Sequence, residues 1–203
     1  IGPDIDLMVD ANQGYSFPVA LKVARQLEKY NICWFEEPIP CHDLDASAEL
    51  AAAVDVPIAL GENEYTRYRF RDILVKRAAD IIQPDIIHAG GITECKRIVS
   101  MASAWQVPYV PHIYSTVGLV GSLHLIASTS NAFIAEYIKG RGEWPLRNEL
   151  FTEPLKIERG CIEVPKGPGL GIKLREDALE KYAYKKVNTP LTDIGMNALA
   201  SSR

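Results

Sequence analysis

Residues 34–38 read Trp34-Phe35-Glu36-Glu37-Pro38, two adjacent carboxylates set directly after the apolar run Ile32, Cys33, Trp34 and Phe35 and closed by a proline. A strand ending at Phe35 aims successive side chains to opposite sides, so one glutamate points into whatever the strand encloses and the other away. The inward one is a buried or cleft-facing charge that needs a partner. Moving outwards along the chain, short β-rich runs ending in polar residues recur at steps of about 25 residues. They are "DLMVDAN" near Asp10, "ICWFEEP" near Glu36, "PIALGEN" near Glu62, "IIQPDIIHAGG" around Asp85, "YVPHIYS" at His112 and "FIAEYIK" at Glu136.

The intervening segments carry helical period and start signals. Ser16 stands before Pro18 and the stripe Val19, Leu21, Val23 and Leu27, and Thr93 precedes Ile98, Met101 and Trp105. Strand then helix, repeated, builds a parallel sheet from βα units. A doubly wound sheet gathers its functional residues at a switch point, and its phosphate-binding forms carry a glycine-rich turn after the first strand. Here polar residues close every strand and no such turn follows the first. The fold class is therefore read as α/β, a (β/α)8-type (TIM-like) barrel.

A full barrel takes roughly 250 residues and eight strands. This chain of 203 residues displays six, numbered three to eight. Residues 1–140 are read as the carboxyl-terminal part of the barrel. In 141–182, "PLKIERGCIEVPKGPGLGIKL" alternates about Gly160 and runs into Pro165, Gly167, Pro168, Gly169 and Gly171, the pattern of a hairpin and a Gly/Pro segment packing outside the barrel. Residues 183–203 form a tail with no structural signal. The chain starts at Ile1 almost directly in a strand-like run, so a preceding portion is expected.

Composition excludes several function classes. With 22 basic and 26 acidic residues the net charge is -4, which offers no footprint for nucleic acid and no polybasic membrane patch. No apolar run approaches the roughly 20 residues that span a bilayer. Cys33, Cys41, Cys95 and Cys161 form no CxxC pair and read as free thiols, with Cys33 buried in a strand. A soluble, cytoplasmic protein with a small-molecule partner is expected.

Asp10, Glu36 and Glu62 close three consecutive strands, so a barrel brings their side chains to one mouth. One such acid alone reads as a solvated surface charge. Three at equal spacing read as a site, and they cannot share a small volume while charged unless a cation neutralises them. All-oxygen ligation points to Mg²⁺ in preference to zinc. His112 and Asp85 close the next strands, and a carboxylate beside an imidazole orients the ring and raises its basicity, as a general base requires. Glu136 completes the ring as a hydrogen-bond donor when protonated or as a further charge. Asn12 and His88 read as substrate contacts or as packing beside the site, while His42 and His124 read as structural.

The ordered set "DAN", "WFEEP", "GEN", "QPDIIHAGG", "PHIYS" and "AEYI", followed by "GPGLGI", resembles the carboxyl-terminal two thirds of the mandelate racemase group of the enolase superfamily, from Asp6 to about Leu174. The resemblance implies that Asp10, Glu36 and Glu62 are Mg²⁺ ligands, His112 with Asp85 the catalytic dyad, and Glu136 the acid that hydrogen-bonds the substrate carboxylate. Glu36 then faces the metal, while Glu37 and Pro38 finish the strand and turn the chain outwards. The chemistry implied is abstraction of the proton α to a carboxylate through an ene-diolate. The polar mouth, with His88, Asn12, Tyr114 and Ser115, favours dehydration of a sugar acid to a 2-keto-3-deoxy acid. A racemase or epimerase is the alternative, and a cycloisomerase the less favoured third. The family's amino-terminal capping domain and first two barrel strands have no counterpart here, so the missing amino-terminal portion is expected to complete the barrel, and the whole to form a homo-oligomer. An inactive fragment or non-catalytic binding scaffold is the reading from another class.

Overall fold

The apolar runs fold into a parallel sheet in chain order. In the computed structural model, which describes Gly2, residues 4–138 and residues 145–184, β1 (Met8–Asp10), β2 (Trp34–Glu36), β3 (Ile58–Leu60) and β4 (Ile81–Ile82) lie side by side. Their register pairs Val9 with Phe35, Asp10 with Glu36, Phe35 with Ile58, Ala59 with Ile81, and Leu60 with Ile82. The arc continues through single parallel bridges, Ile82 to Tyr109 and Tyr109 to Ala132. The sequence leads one to expect six strands reaching their polar residues. Only Asp10 and Glu36 lie within strands, while Glu62, Asp85, His112 and Glu136 lie beyond the strand or bridge that delivers them. Proline explains part of the shortening, because Pro84, Pro108 and Pro111 lack the N–H that a ladder uses.

Helices alternate with the strands. They are α1 (Phe17–Leu27), followed by a 3-10 turn at Glu28–Tyr30, then α2 (Leu44–Ala53), α3 (Thr66–Lys76), α4 (Gly91–Ala104) and α5 (Thr116–Ala127), each packed on the next. Their starts follow from local chemistry. Asp43 accepts a hydrogen bond from the Ala46 N–H at 3.0 Å, and Ser115 accepts one from Gly118 at 2.9 Å, satisfying donors that a first helical turn leaves open. Strand alternation then divides the sheet into two faces. Phe35, Ile58 and the small Ala20 and Ala24 build one core with α1 and α2, and Ile82, Phe70, Ile73, Ile98 and Tyr109 build another with α3 and α4. The opposite face carries Met8, Trp34, Ala59, Ile81 and Val110, a separate cluster inside the arc.

Towards the carboxyl end come α6 (Pro145–Glu149), an antiparallel hairpin of β5 (Ile157–Glu158) and β6 (Cys161–Ile162), and α7 (Glu176–Lys181). The hairpin turns through Arg159 and Gly160, at φ of 50° and 76°. This segment packs on α5: Ile162 and Val164 meet Ile113, Leu119 and Leu123, and Leu170 and Ile172 meet Val120. His124 is structural in this sense, with Nε2 3.1 Å from the Leu170 carbonyl. The boundary placed at residue 140 and the tail from residue 185 onwards lie outside the described residues. All four cysteines are free; Cys33 is half-buried and precedes β2, not buried within it. No helix among the described residues is long and apolar enough to cross a membrane.

Candidate active site

The inner face of the sheet carries a row of acids to its carboxyl end. Trp34 and Glu36 share that face because they are two apart on β2, and the Trp34 Nε1–H donates to Glu36 Oε2 at 3.0 Å. Gln83, just past β4, donates through Nε2 to the same oxygen at 2.8 Å. In the loop after β3, Asn63 Nδ2 lies 3.2 Å from Oε1 of the adjacent Glu62. Asp10 is exposed, and its Oδ1 accepts from the Asn12 backbone N–H at 2.7 Å. Each acid therefore has one oxygen engaged by a protein donor, while the other oxygen of Glu62 lies 3.6 Å from His112 Nε2 and its carboxyl is hydrogen-bonded to that of Glu36.

The acids interact with one another. Burial pushes the Glu62 carboxyl up, His112 pulls it down, and the charges of Glu37 and Glu36 push it up again, to about 7. Among the described residues, no three His, Cys, Asp or Glu side chains are gathered closely enough to grip an ion. The mouth is shared, but it is not a closed cage. The donor chemistry nonetheless fits a hard divalent cation. It is carboxylate throughout, and the crowding of Glu36 and Glu62 is of the kind that positive charge relieves.

On the far side, His112 and Asp85 meet. Nδ1 of His112 lies 2.9 Å from Asp85 Oδ2, an oxygen that also accepts from the Tyr114 N–H at 3.1 Å. Asp85 Oδ1 accepts from Ile87 at 2.6 Å and His88 at 3.2 Å. Burial alone raises Asp85, but these hydrogen bonds together outweigh it and hold the carboxyl below its ordinary range. An ionised carboxylate only accepts, so Nδ1 carries a ring proton and Nε2 is the nitrogen left to gain or lose the other. That Nε2 lies 3.6 Å from Glu62 Oε2. Burial pulls the His112 pKa down, yet the Asp85 hydrogen bond and the charges of Glu62 and Glu136 raise it above the ordinary histidine value. Glu136 accepts from the Ile113 N–H at 2.7 Å, and burial raises its carboxyl despite that bond.

His88 is half-buried at the rim, with Nδ1 3.2 Å from the Glu62 carbonyl and its ring flanked by Tyr65, Tyr114 and His112 at centroid distances of 6.1, 6.2 and 6.4 Å. Asn12, exposed at a φ of 43°, is engaged through its backbone N–H. The structure thus brings Glu36, Glu62, His112 and Asp85 together, with Glu136 and His88 beside them, and leaves Asp10 and Asn12 at the open side.

One expectation is corrected. Glu37 does not turn outwards: it is only 1% exposed, at a φ of 34°, and Asn63 Nδ2 donates to its Oε2 at 2.9 Å. β2 runs one residue further than Phe35, and the left-handed backbone at Glu37 then breaks the strand alternation that would have aimed its side chain away. Sequence reasoning also passed over Trp34, Gln83 and Asn63. Alternation back from Glu36 would have found Trp34, whereas Gln83 and Asn63 carry no signal beyond their place in the motifs.

Comparison with known proteins agrees with this fold. The chain is 42% identical over 187 residues to the arabinonate dehydratase of Saccharolobus solfataricus, covering 91% of this chain and 49% of that protein. It is 36% identical to the D-galactarolactone cycloisomerase of Agrobacterium fabrum, covering 90% of this chain and 50% of that one. A crystal structure of L-talarate dehydratase from Polaromonas sp. JS666, complexed with Mg and L-glucarate, superposes with a TM-score of 0.77 at 33% identity, over 88% of this chain and 47% of that chain. The chain spans about half the length of the relatives it matches. Residues 1–178 match the model of the enolase C-terminal domain-like family. With that match spanning the whole βα arc and the mouth it carries, the chain belongs to this family, in the mandelate racemase group of the enolase superfamily.

Proposed function

We propose that this chain forms the catalytic part of a Mg²⁺-dependent acid-sugar dehydratase. The observation that carries the reading is the His112–Asp85 pair, with Nδ1 at 2.9 Å from the carboxylate and Nε2 facing the acid row at Glu62. Asp10, Glu36 and Glu62 are the residues proposed to hold the ion, which supplies positive charge where the substrate carboxylate becomes electron-rich.

The remaining chemistry belongs to the side chains. His112 Nε2 takes the proton from the α carbon, and the C–H electron pair moves into the carboxylate to give the ene-diolate. Asp85 stabilises the imidazolium so formed. Glu136, whose carboxyl burial pushes up, is assigned to donate, in its protonated form, a hydrogen bond to a carboxylate oxygen as charge builds there. The imidazolium then returns its proton to the β-hydroxyl, which leaves as water. The resulting enol gains a proton at the former hydroxyl-bearing carbon and becomes a 2-keto-3-deoxy acid. His88 and Asn12, at the rim, are assigned to substrate hydroxyls. The barrel is proposed to close through two further strands and a capping domain from outside residues 1–203, with 1–140 as barrel, 141–182 as the outer segment and 183–203 as tail. The exposed Ile5 and Leu7 beside β1, and Phe133 beside the Ala132 bridge, are consistent with such a completion at both edges of the arc.

Turnover of a sugar-acid panel in heavy water with Mg²⁺ tests the reading. Dehydration places deuterium at the former hydroxyl-bearing carbon of a keto acid. Exchange at the α carbon with no keto product anywhere in the panel would make the enzyme an epimerase.

A further inference from the structure

We infer that Asn63 is a positioning residue which, anchored on the buried carboxylate of Glu37, holds one oxygen of Glu62 and so presents the other to the mouth. The inference rests on the reading of Glu62 as a Mg²⁺ ligand. Asn63 Nδ2 carries two hydrogens and no other side-chain donor. It stands 2.9 Å from Glu37 Oε2 and 3.2 Å from Glu62 Oε1, so a single amide nitrogen spans two carboxylates that would otherwise repel. The anchor itself is buried and tied down by its backbone. Glu37 is 1% exposed, its N–H donates to the Ala59 carbonyl at 2.9 Å, and its carbonyl accepts from the Gln13 N–H at 2.7 Å. Glu37 thereby ties together the chain just after β1, β2 and β3, next to the three acids. A buried carboxylate beside a like-charged site is costly to keep unless it does something there, and fixing the Asn63 amide is what the geometry gives it to do.

The test titrates Mg²⁺ calorimetrically into the full chain and its variants, and follows the Asn63 side-chain amide by NMR without metal. Asn63→Ala is expected to weaken Mg²⁺ binding about tenfold, the range typical of residues that orient metal ligands. Glu37→Leu, which removes the anchor at similar volume, is expected to do the same and to speed exchange of one Asn63 amide proton. Glu37→Gln keeps an oxygen for Asn63 and is expected to restore affinity to near the parent value, which a merely structural role would not predict. The double variant Glu37→Leu/Asn63→Ala is expected to lose no more than the worse single variant. Affinity within twofold of the parent in a folded Asn63→Ala chain, or fully multiplicative losses in the double variant, would overturn the tether. No Mg²⁺ binding by the parent, with the Asn63 amide still slow to exchange, would overturn the ligand role of Glu62 and uphold the tether as geometry.

Discussion

At the scale of single residues, His112 divides its two nitrogens between two tasks. Nδ1 is committed to Asp85, and Nε2 alone faces the acid row, the arrangement on which the proposed role in proton transfer rests. His112→Asn should therefore abolish turnover while leaving Mg²⁺ affinity nearly intact, as measured by metal titration. A parallel loss of metal affinity would place the imidazole among the ligands. Asp85→Asn keeps the shape but withdraws the charge that raises His112, and an amide can donate to Nδ1 and stabilise the wrong tautomer. The expected result is a fall in kcat of about 10²- to 10⁴-fold, with the acidic limb of the pH–rate profile moved to lower pH. An unmoved profile would detach Asp85 from the base.

At the scale of elements, the acids are delivered by how each strand ends. Glu62 follows Gly61, whose φ of 133° no side chain adopts comfortably. A Cβ there would sit 2.9 Å from Phe70 Cε1 and 3.1 Å from the Gln83 backbone nitrogen. Gly61→Ala should accordingly destabilise the chain by about 1–3 kcal/mol, read as a lower midpoint in denaturant, and should weaken Mg²⁺ binding because Glu62 and Gln83 both shift. The repeat itself was legible because every βα unit needs a similar length of chain, so Asp10, Glu36, Glu62, Asp85, His112 and Glu136 mark one period. The inner row was legible because strand alternation is strict. Strand lengths were not, since prolines and Gly61 stop the ladder before the polar residues arrive. Nor were the supports of the acids, because a contact such as Gln83 to Glu36 joins separate strands and leaves no mark on either local pattern. Glu37 was misread for a related reason: a left-handed φ at one residue suspends the alternation on which the reading depended.

At the scale of the whole molecule, the mouth stores protons. Burial is the leading cause that holds the carboxyls of Glu37, Glu62 and Glu136 above their ordinary value, and neighbouring carboxylates hold His112 above its own despite burial. The folded chain thus binds more protons than the unfolded chain between the ordinary carboxyl value of 4.5 and, for Glu62, about 7. Stability is greatest where both states are protonated and declines as pH rises through that window. Asp85 works in the opposite sense, but its contribution is lost only as pH falls below its ordinary 3.8, outside the same window. Without metal, the thermal midpoint should fall from about pH 5 to about pH 8. Saturating Mg²⁺ should flatten that fall, because a cation favours the deprotonated acids and binds the folded chain alone. A metal-free midpoint that climbs across this range would mean that the acids already share their charge with a cation of the protein's own, and the case for Mg²⁺ at this mouth would be lost.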